Sequence, residues 1–170
     1  MGSGSLEYEE IAAPLGRWLA EIEVHLLTGG GPGVMASVSR SFAGVANRKG
    51  RVIGVIPGII EHGKVVQKHG YPNPWVEIPV YTHLPLSGAE GTENQSRNHI
   101  NILTSDVIVA LPGGAGTASE IALAVNYQKP IIVYSDANTK STILPESVVR
   151  AHSLSDIKKF VLQSIRIYRM

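Results

Sequence analysis

The sequence predicts a Rossmann-like α/β fold, a doubly wound parallel sheet in one domain spanning residues 1–170. Three observations predict it. Short apolar runs rich in β-branched residues alternate with amphipathic helical patterns. Those runs are apolar throughout rather than alternating, as in strands covered by helices on both faces. Two of them end in glycine-rich turns from which a helix starts, the arrangement that follows the strands of a dinucleotide-type sheet.

Strands are expected over 24–27, 52–56, 75–81, 107–111 and 131–134. Pro79 marks the third as an edge strand, since proline cannot donate to a ladder. Helices are expected over 7–21, 33–47, 93–104, 117–127 and 155–168. The first carries Ile11, Leu15, Trp18, Leu19 and Ile22 on one face, with Pro14 and Gly16 positioned to bend it. Gly91-Thr92 reads as a cap for the third. The last is expected to start at Ser155 and to turn Ile157, Phe160, Val161, Ser164 and Ile165 inward. The stretches 59–74 and 82–92 read as long loops. The first holds His62, Lys64, Lys68 and His69, with no recognisable metal-ligand spacing.

One element of such a sheet is missing from the pattern. The chain opens Met1-Gly2-Ser3-Gly4-Ser5 and passes into a helix, whereas a turn of this kind ordinarily follows the first, central strand. Either upstream residues are absent, or this opening is an engineered leader. The preferred reading is a natural turn whose strand has been lost, leaving a sheet expected to be poorly stable.

Composition bounds the function. Hydrophobic residues make up 44% and charged residues 17%, as in a globular chain. A net charge of +1 favours neither nucleic acid nor an anionic membrane surface. The basic residues Lys158-Lys159 and those of 166–169 read as a solvated helix face. The absence of cysteine removes thiolate chemistry and Cys-ligated zinc, and it suits a reducing compartment. With no membrane-length apolar run and no signal pattern, the expected location is cytoplasmic.

The strongest motif is Leu111-Pro112-Gly113-Gly114-Ala115-Gly116-Thr117-Ala118-Ser119-Glu120. A strand ends and a helix begins there, leaving unpaired backbone N–H groups and a partial positive charge at the turn. Gly113, Gly114 and Gly116 would let an anion approach those donors, with Thr117 either capping the helix or meeting a phosphate oxygen. Glu120 lies one turn on, as an acid at the mouth of the site, as the partner of Thr117 in a capping box, or as both. A second turn, Thr28-Gly29-Gly30-Gly31-Pro32-Gly33, offers a similar floor through Gly29, Gly30, Gly31 and Gly33. Its spacing departs from Gly-x-Gly-x-x-Gly and no acid ends the next strand, so NAD is rejected. Arg97, in Ser96-Arg97-Asn98-His99, is placed to meet a phosphate or Glu120, or to form a surface ion pair. His99 has no evident partner and reads as structural.

These residues resemble a known family. The stretch from Pro112 to Glu120 fits P-G-G-x-G-T-x-x-E, and Arg97 stands 15 residues before Pro112. This is similar to the LOG-type proteins, the cytokinin riboside 5′-monophosphate phosphoribohydrolases once labelled lysine decarboxylases. The resemblance runs over about 2–134 and implies a nucleoside monophosphate ligand and a homodimer or dimer of dimers. Where that family has M-H-x-R-K, this chain has Asn94-Gln95-Ser96-Arg97-Asn98, without the lysine, and its first glycine loop is one residue shorter. Both departures resemble the molybdenum-cofactor-carrier branch. No lysine lies by the motifs to form a Schiff base, so a pyridoxal decarboxylase finds no support.

The expected function is therefore nucleotide binding with hydrolysis of the N-glycosidic bond of a nucleoside 5′-monophosphate. Arg97 and Glu120 would be catalytic, and Asn98 would join the glycines and Thr117 in binding. The alternative is a non-catalytic nucleotide or molybdenum-cofactor carrier. A third reading is a nucleotide sensor dimerising through 117–127 and the terminal helix. No resident cofactor or metal is expected.

Overall fold

The computed structural model describes residues 1–135, 144–145 and 148–168, with the side chains at 60, 65, 67 and 166–168 excepted. Asp136, which follows the strand expected over 131–134, and the side chains of the basic stretch from Arg166 lie outside the described residues.

Helix α1 spans Glu9–Glu21. It starts two residues later than expected because Tyr8 takes a left-handed conformation (φ 45°). It leads to β1 (Leu26–Thr28), α2 (Val34–Ala43) and β2 (Val52–Ile56). Residues 59–74 are not simply a loop. They contain most of a hairpin, β3 (Gly58–Glu61) with β4 (Lys64–Gln67), paired antiparallel. His62 and Gly63, at φ 49° and 74°, make the two-residue turn that this geometry demands. Strand β5 is confined to Ile78–Tyr81, because Asn73 holds the preceding segment in a turn through its bond to the Trp75 N–H.

The second half holds α3 (Asn98–Thr104), β6 (Ile108–Ala110), α4 (Ala115–Asn126), β7 (Ile131–Tyr134), β8 (Val149–Ala151) and α5 (Leu154–Tyr168). The expected helix over 93–104 loses its first turns. Glu90, Glu93 and Ser96 form successive tight turns instead, so Gly91-Thr92 caps nothing. Strand β8 was not expected; it is three residues long with only its last buried. Helix α5 is capped by Ser153 rather than Ser155. Ser153 Oγ accepts from the Asp156 N–H, and the Asp156 carboxylate accepts from the Ser153 N–H, which is a capping box.

The strands form two parallel triplets, β1-β2-β5 and β6-β7-β8. No ladder joins β1 to β6. Instead, residues 1–3 lie against the end of β6. The Met1 ammonium donates to the Val109 carbonyl at 2.9 Å, the Leu111 N–H to the Met1 carbonyl at 3.0 Å, and the Ser3 N–H to the Pro112 carbonyl at 2.9 Å.

Two apolar cores support the triplets. One gathers Leu15, Trp18, Val38, Phe42, Val52 and Ile157. The other gathers Ile102, Ile108, Ile121, Leu123, Ile131 and Val133. The burial of Ile121 and Leu123 removes the apolar face expected to be free on 117–127. Exposed large apolar residues instead include Ile78, Val80 and Tyr81 on β5.

Helices α1 and α2 pack closely because Gly16 has no Cβ. A methyl there would strike the Val38 carbonyl and lie 3.1 Å from the Phe42 nitrogen. Gly16→Ala is therefore expected to cost about 1–3 kcal/mol by overpacking. Gly4→Ala, which meets nothing within 4 Å, should stay within about 0.5 kcal/mol. Urea unfolding of both variants checks this, and equal midpoints would contradict it.

Candidate functional site

The carboxyl ends of β1 and β6 deliver two glycine turns to one edge of the molecule. After β6 the chain runs through exposed Gly113 and Gly114 into α4. Gly114 is the N-cap residue, and no side chain caps this helix. Because α4 begins at Ala115, Thr117 is its third residue and not its cap. The capping box of Thr117 with Glu120 does not form, and the buried Thr117 hydroxyl packs against Gly113. A Cβ at Gly114 would meet nothing within 4 Å, and one at Gly116 nothing nearer than 3.8 Å. The first amides of α4 thus lie at an open, uncapped helix start, which carries partial positive charge.

The turn after β1 is built differently. Gly30 and Gly33 have φ of 72° and 67°, which explains why both are glycine. Each glycine also makes room for the protein's own atoms. Gly29 admits the Arg97 guanidinium, Gly30 the Ile56 side chain, Gly31 the Tyr71 ring and Gly33 the backbone of Ser3 to Ser5. The Val34 N–H, first of α2, donates to the Ser3 carbonyl at 2.9 Å. This second floor is therefore largely filled by protein, unlike the start of α4.

Arg97 and Glu120 come together at this edge. Arg97 is only 6% exposed. Its Nη1 donates to the Val55 carbonyl at 2.7 Å, and its guanidinium lies 5.6 Å from the centre of the Tyr71 ring. Its buried Nε has no partner. Burial lowers the Arg97 pKa, while Tyr71 and Glu120 pull it back up; a guanidinium stays charged regardless. The Glu120 carboxyl is pushed above the ordinary glutamate value by burial, against the opposing pull of the Met1 ammonium and Arg97. It accepts from Asn101 Nδ2 at 3.4 Å. No ion pair within 4 Å links Arg97 to Glu120; their coupling is through space.

Asn98 is buried, its amide nitrogen packed beneath Gly91. His99 is partnered after all: Nδ1 lies 2.8 Å from the Tyr127 hydroxyl and Nε2 3.0 Å from the Glu93 carbonyl. Sequence reasoning missed Tyr71, Asn73, Asn101 and Ser3. Asn73 braces the first glycine turn, donating from Nδ2 to the Gly31 carbonyl at 2.9 Å and from its N–H to the Gly30 carbonyl at 2.7 Å. The one available signal was Tyr71-Pro72-Asn73-Pro74, a rigid turn inside a stretch otherwise read as loop. Among the described residues no cluster of His, Asp and Glu could hold a metal ion, and no helix is long and apolar enough to cross a membrane.

Parallel triplets flanked by helices, with a Pro-Gly-Gly turn opening α4, define a LOG-like α/β protein of the Rossmann type. The chain belongs to the SLOG cluster4 family, whose model matches residues 1–160. Solved structures agree. The Moco carrier protein of Chlamydomonas reinhardtii is 28% identical, with a TM-score of 0.72 over 98% of this chain and 94% of that one. The molybdenum cofactor binding protein of the phototrophic bacterium Rippkaea orientalis is 28% identical, with a TM-score of 0.66 over 97% and 93%. A protein of Archaeoglobus fulgidus with no described role is 28% identical over 133 residues, 77% of this chain and 74% of that one.

The raised Glu120 pKa carries a sign. The native carboxyl holds its proton where the unfolded chain has released it, so the stability it contributes is present below about pH 4.5 and is lost as pH rises through the native value. Glu120→Gln keeps the shape and removes the titration. Its urea midpoint should match wild type near pH 4 and exceed it at pH 7. Parallel pH profiles for the two proteins would contradict this.

Proposed function

We propose that this chain is a binding protein for a phosphorylated nucleotide or pterin-nucleotide, holding the phosphate at the start of α4. One observation carries the reading: the helix start from Gly114 to Thr117 is open, uncapped and glycine-lined, while the neighbouring start of α2 is closed by the Ser3 carbonyl. A phosphate there would accept hydrogen bonds from the first amides of α4 and gain from the helix charge. Arg97, fixed by Val55 and Tyr71, would supply a buried positive charge nearby. Because that guanidinium is already ordered, little conformational entropy is lost when an anion arrives. The structural likeness to proteins titled as molybdenum cofactor carriers supports the same class of ligand.

Binding without turnover is favoured over hydrolysis by the surroundings of Glu120. A residue that holds ribose hydroxyls or positions water against C1′ must act as a carboxylate. Burial raises the Glu120 pKa and so works against that role, although the Met1 ammonium and Arg97 oppose it, and Asn101 already engages one oxygen. The hydrolytic reading keeps one specific support, the nearness of Glu120 to Arg97. In that reaction the bond from C1′ to the base nitrogen breaks, water adds its hydroxyl to C1′, and the base leaves with the proton.

Gly114→Asp separates ligand binding from folding. Aspartate at the N-cap satisfies the helix as well as glycine does or better, yet it puts a carboxylate where the phosphate would sit. Calorimetry with adenosine and guanosine monophosphates and with molybdenum cofactor should show binding to wild type. It should show a loss of about tenfold or more in the variant, equivalent to roughly 1.4 kcal/mol, with no fall in Tm. Unchanged affinity in the variant would end the proposal. A base-release assay on the same samples decides between the readings: ribose 5-phosphate produced by wild type and abolished by Glu120→Ala selects hydrolysis.

A further inference from the structure

Between β5 and α3 the chain forms a closed loop that rests on the first turns of α4. Its neck is the bridge of Leu86 with Ser96, where the Leu86 N–H donates to the Gln95 carbonyl at 3.3 Å. Within it the amides of Glu90, Gly91, Glu93 and Ser96 donate to the carbonyls of Ser87, Gly88, Glu90 and Glu93. A loop that satisfies this much of its own backbone is able to shift as a unit. Two side chains hold it. On the α3 side, His99 Nε2 lies 3.0 Å from the Glu93 carbonyl, and the ring is braced by the Tyr127 hydroxyl, 2.8 Å from Nδ1. On the α4 side, Ser119 Oγ donates to the Gly88 carbonyl at 2.7 Å. The same Oγ lies 3.0 Å from the Ala115 carbonyl, one turn back in its own helix. A hydroxyl has one hydrogen to give, so Ser119 bonds fully either to the loop or to α4. Release of the loop therefore leaves the hydroxyl satisfied and the Gly88 carbonyl free to meet water, which keeps the cost of release low.

The loop meets α4 at the turn proposed to hold phosphate. Gly88, at φ 64°, is its point of approach: its Cα and nitrogen lie 3.8 and 3.9 Å from where a Cβ on Gly116 would stand. Gly91 fits against α4 only because it lacks a side chain, since a Cβ there would lie 2.7 Å from the Ser119 Cβ and crowd the Asn98 amide. We propose that loop 86–96 is a retaining flap for the anion site at the start of α4, with Ser119 as its latch and His99 as its pivot. The proposal rests on the phosphate reading given above. Latched, the flap walls one side of the ligand from water and brings the Gly88 backbone up to the phosphate. Unlatched, with the Ser119 proton turned to Ala115, it lets the ligand leave. Ser119 touches the flap and not the ligand, so it is a positioning residue.

The test compares three variants with wild type. Ser119→Ala removes the latch alone. Gly91→Ala keeps the hydroxyl and wedges the loop off α4. Gly114→Asp blocks the anion site and leaves the loop intact. Hydrogen exchange is followed without ligand, and surface plasmon resonance follows adenosine monophosphate, guanosine monophosphate and molybdenum cofactor. Ser119→Ala and Gly91→Ala should each speed exchange at the Glu90 and Gly91 amides, while the Ile121 and Leu123 amides deeper in α4 keep wild-type rates. Each should also raise the release rate of whichever ligand wild type binds by about fivefold, as expected for one lost hydrogen bond, with association little changed. Faster exchange with unaltered release would overturn the proposal, because the loop would then be packing alone. Unaltered exchange in both variants would overturn it as well. Wild type that binds none of the three ligands, or a Gly114→Asp variant that binds as wild type does, would instead end the phosphate reading and the flap with it.

Discussion

The backbone of Met1 to Ser3 is the constraint on which the carboxyl edge depends. Ser3 donates to Pro112, at the turn before α4, and accepts from Val34, at the start of α2. One residue thereby ties the two glycine turns together, although β1 and β6 share no ladder. The same contact decides which turn stays open. The Ser3 carbonyl takes the first amide of α2, while nothing comparable reaches Gly114. Two turns alike in composition become unlike in structure, one closed by the Ser3 carbonyl and the other left without a side-chain cap.

Arg97 is seated at the first glycine turn, against Gly29. It is held by Val55, stacked near Tyr71, and packed against a glycine whose missing Cβ is what admits it. A guanidinium removed from water this far carries a large desolvation cost. Glu120 and the Tyr71 ring offset it only in part, and its Nε remains without a partner. A buried, incompletely satisfied cation is electrostatically disposed towards an anion.

Much of this was legible in the sequence, and the rest was not for identifiable reasons. The strand ending at Ala110 and the turn through Gly114 could be read because apolar run, Pro-Gly-Gly and helix follow one another directly. The expectation that Arg97 would lie near Glu120 came from its position just before the strand that feeds the Pro-Gly-Gly turn. The role of the first glycine turn did not, because Tyr71, Asn73 and Ser3 reach it from distant parts of the chain, and no local pattern encodes those contacts. The hairpin was hidden by its charged ends, Glu61 and Lys64, which made a strand pair look like loop. Thr117 was misplaced by two residues because Gly116 is a poor helix former by propensity, yet α4 begins before it, at Ala115.

A structure determined with a nucleoside monophosphate tests the central claim most directly. The account predicts phosphate density within hydrogen-bonding distance of the Ala115, Gly116 and Thr117 amides, with the Arg97 guanidinium on the same side of the ligand. Phosphate bound elsewhere, with the Gly114 turn still empty at saturating ligand, would contradict it.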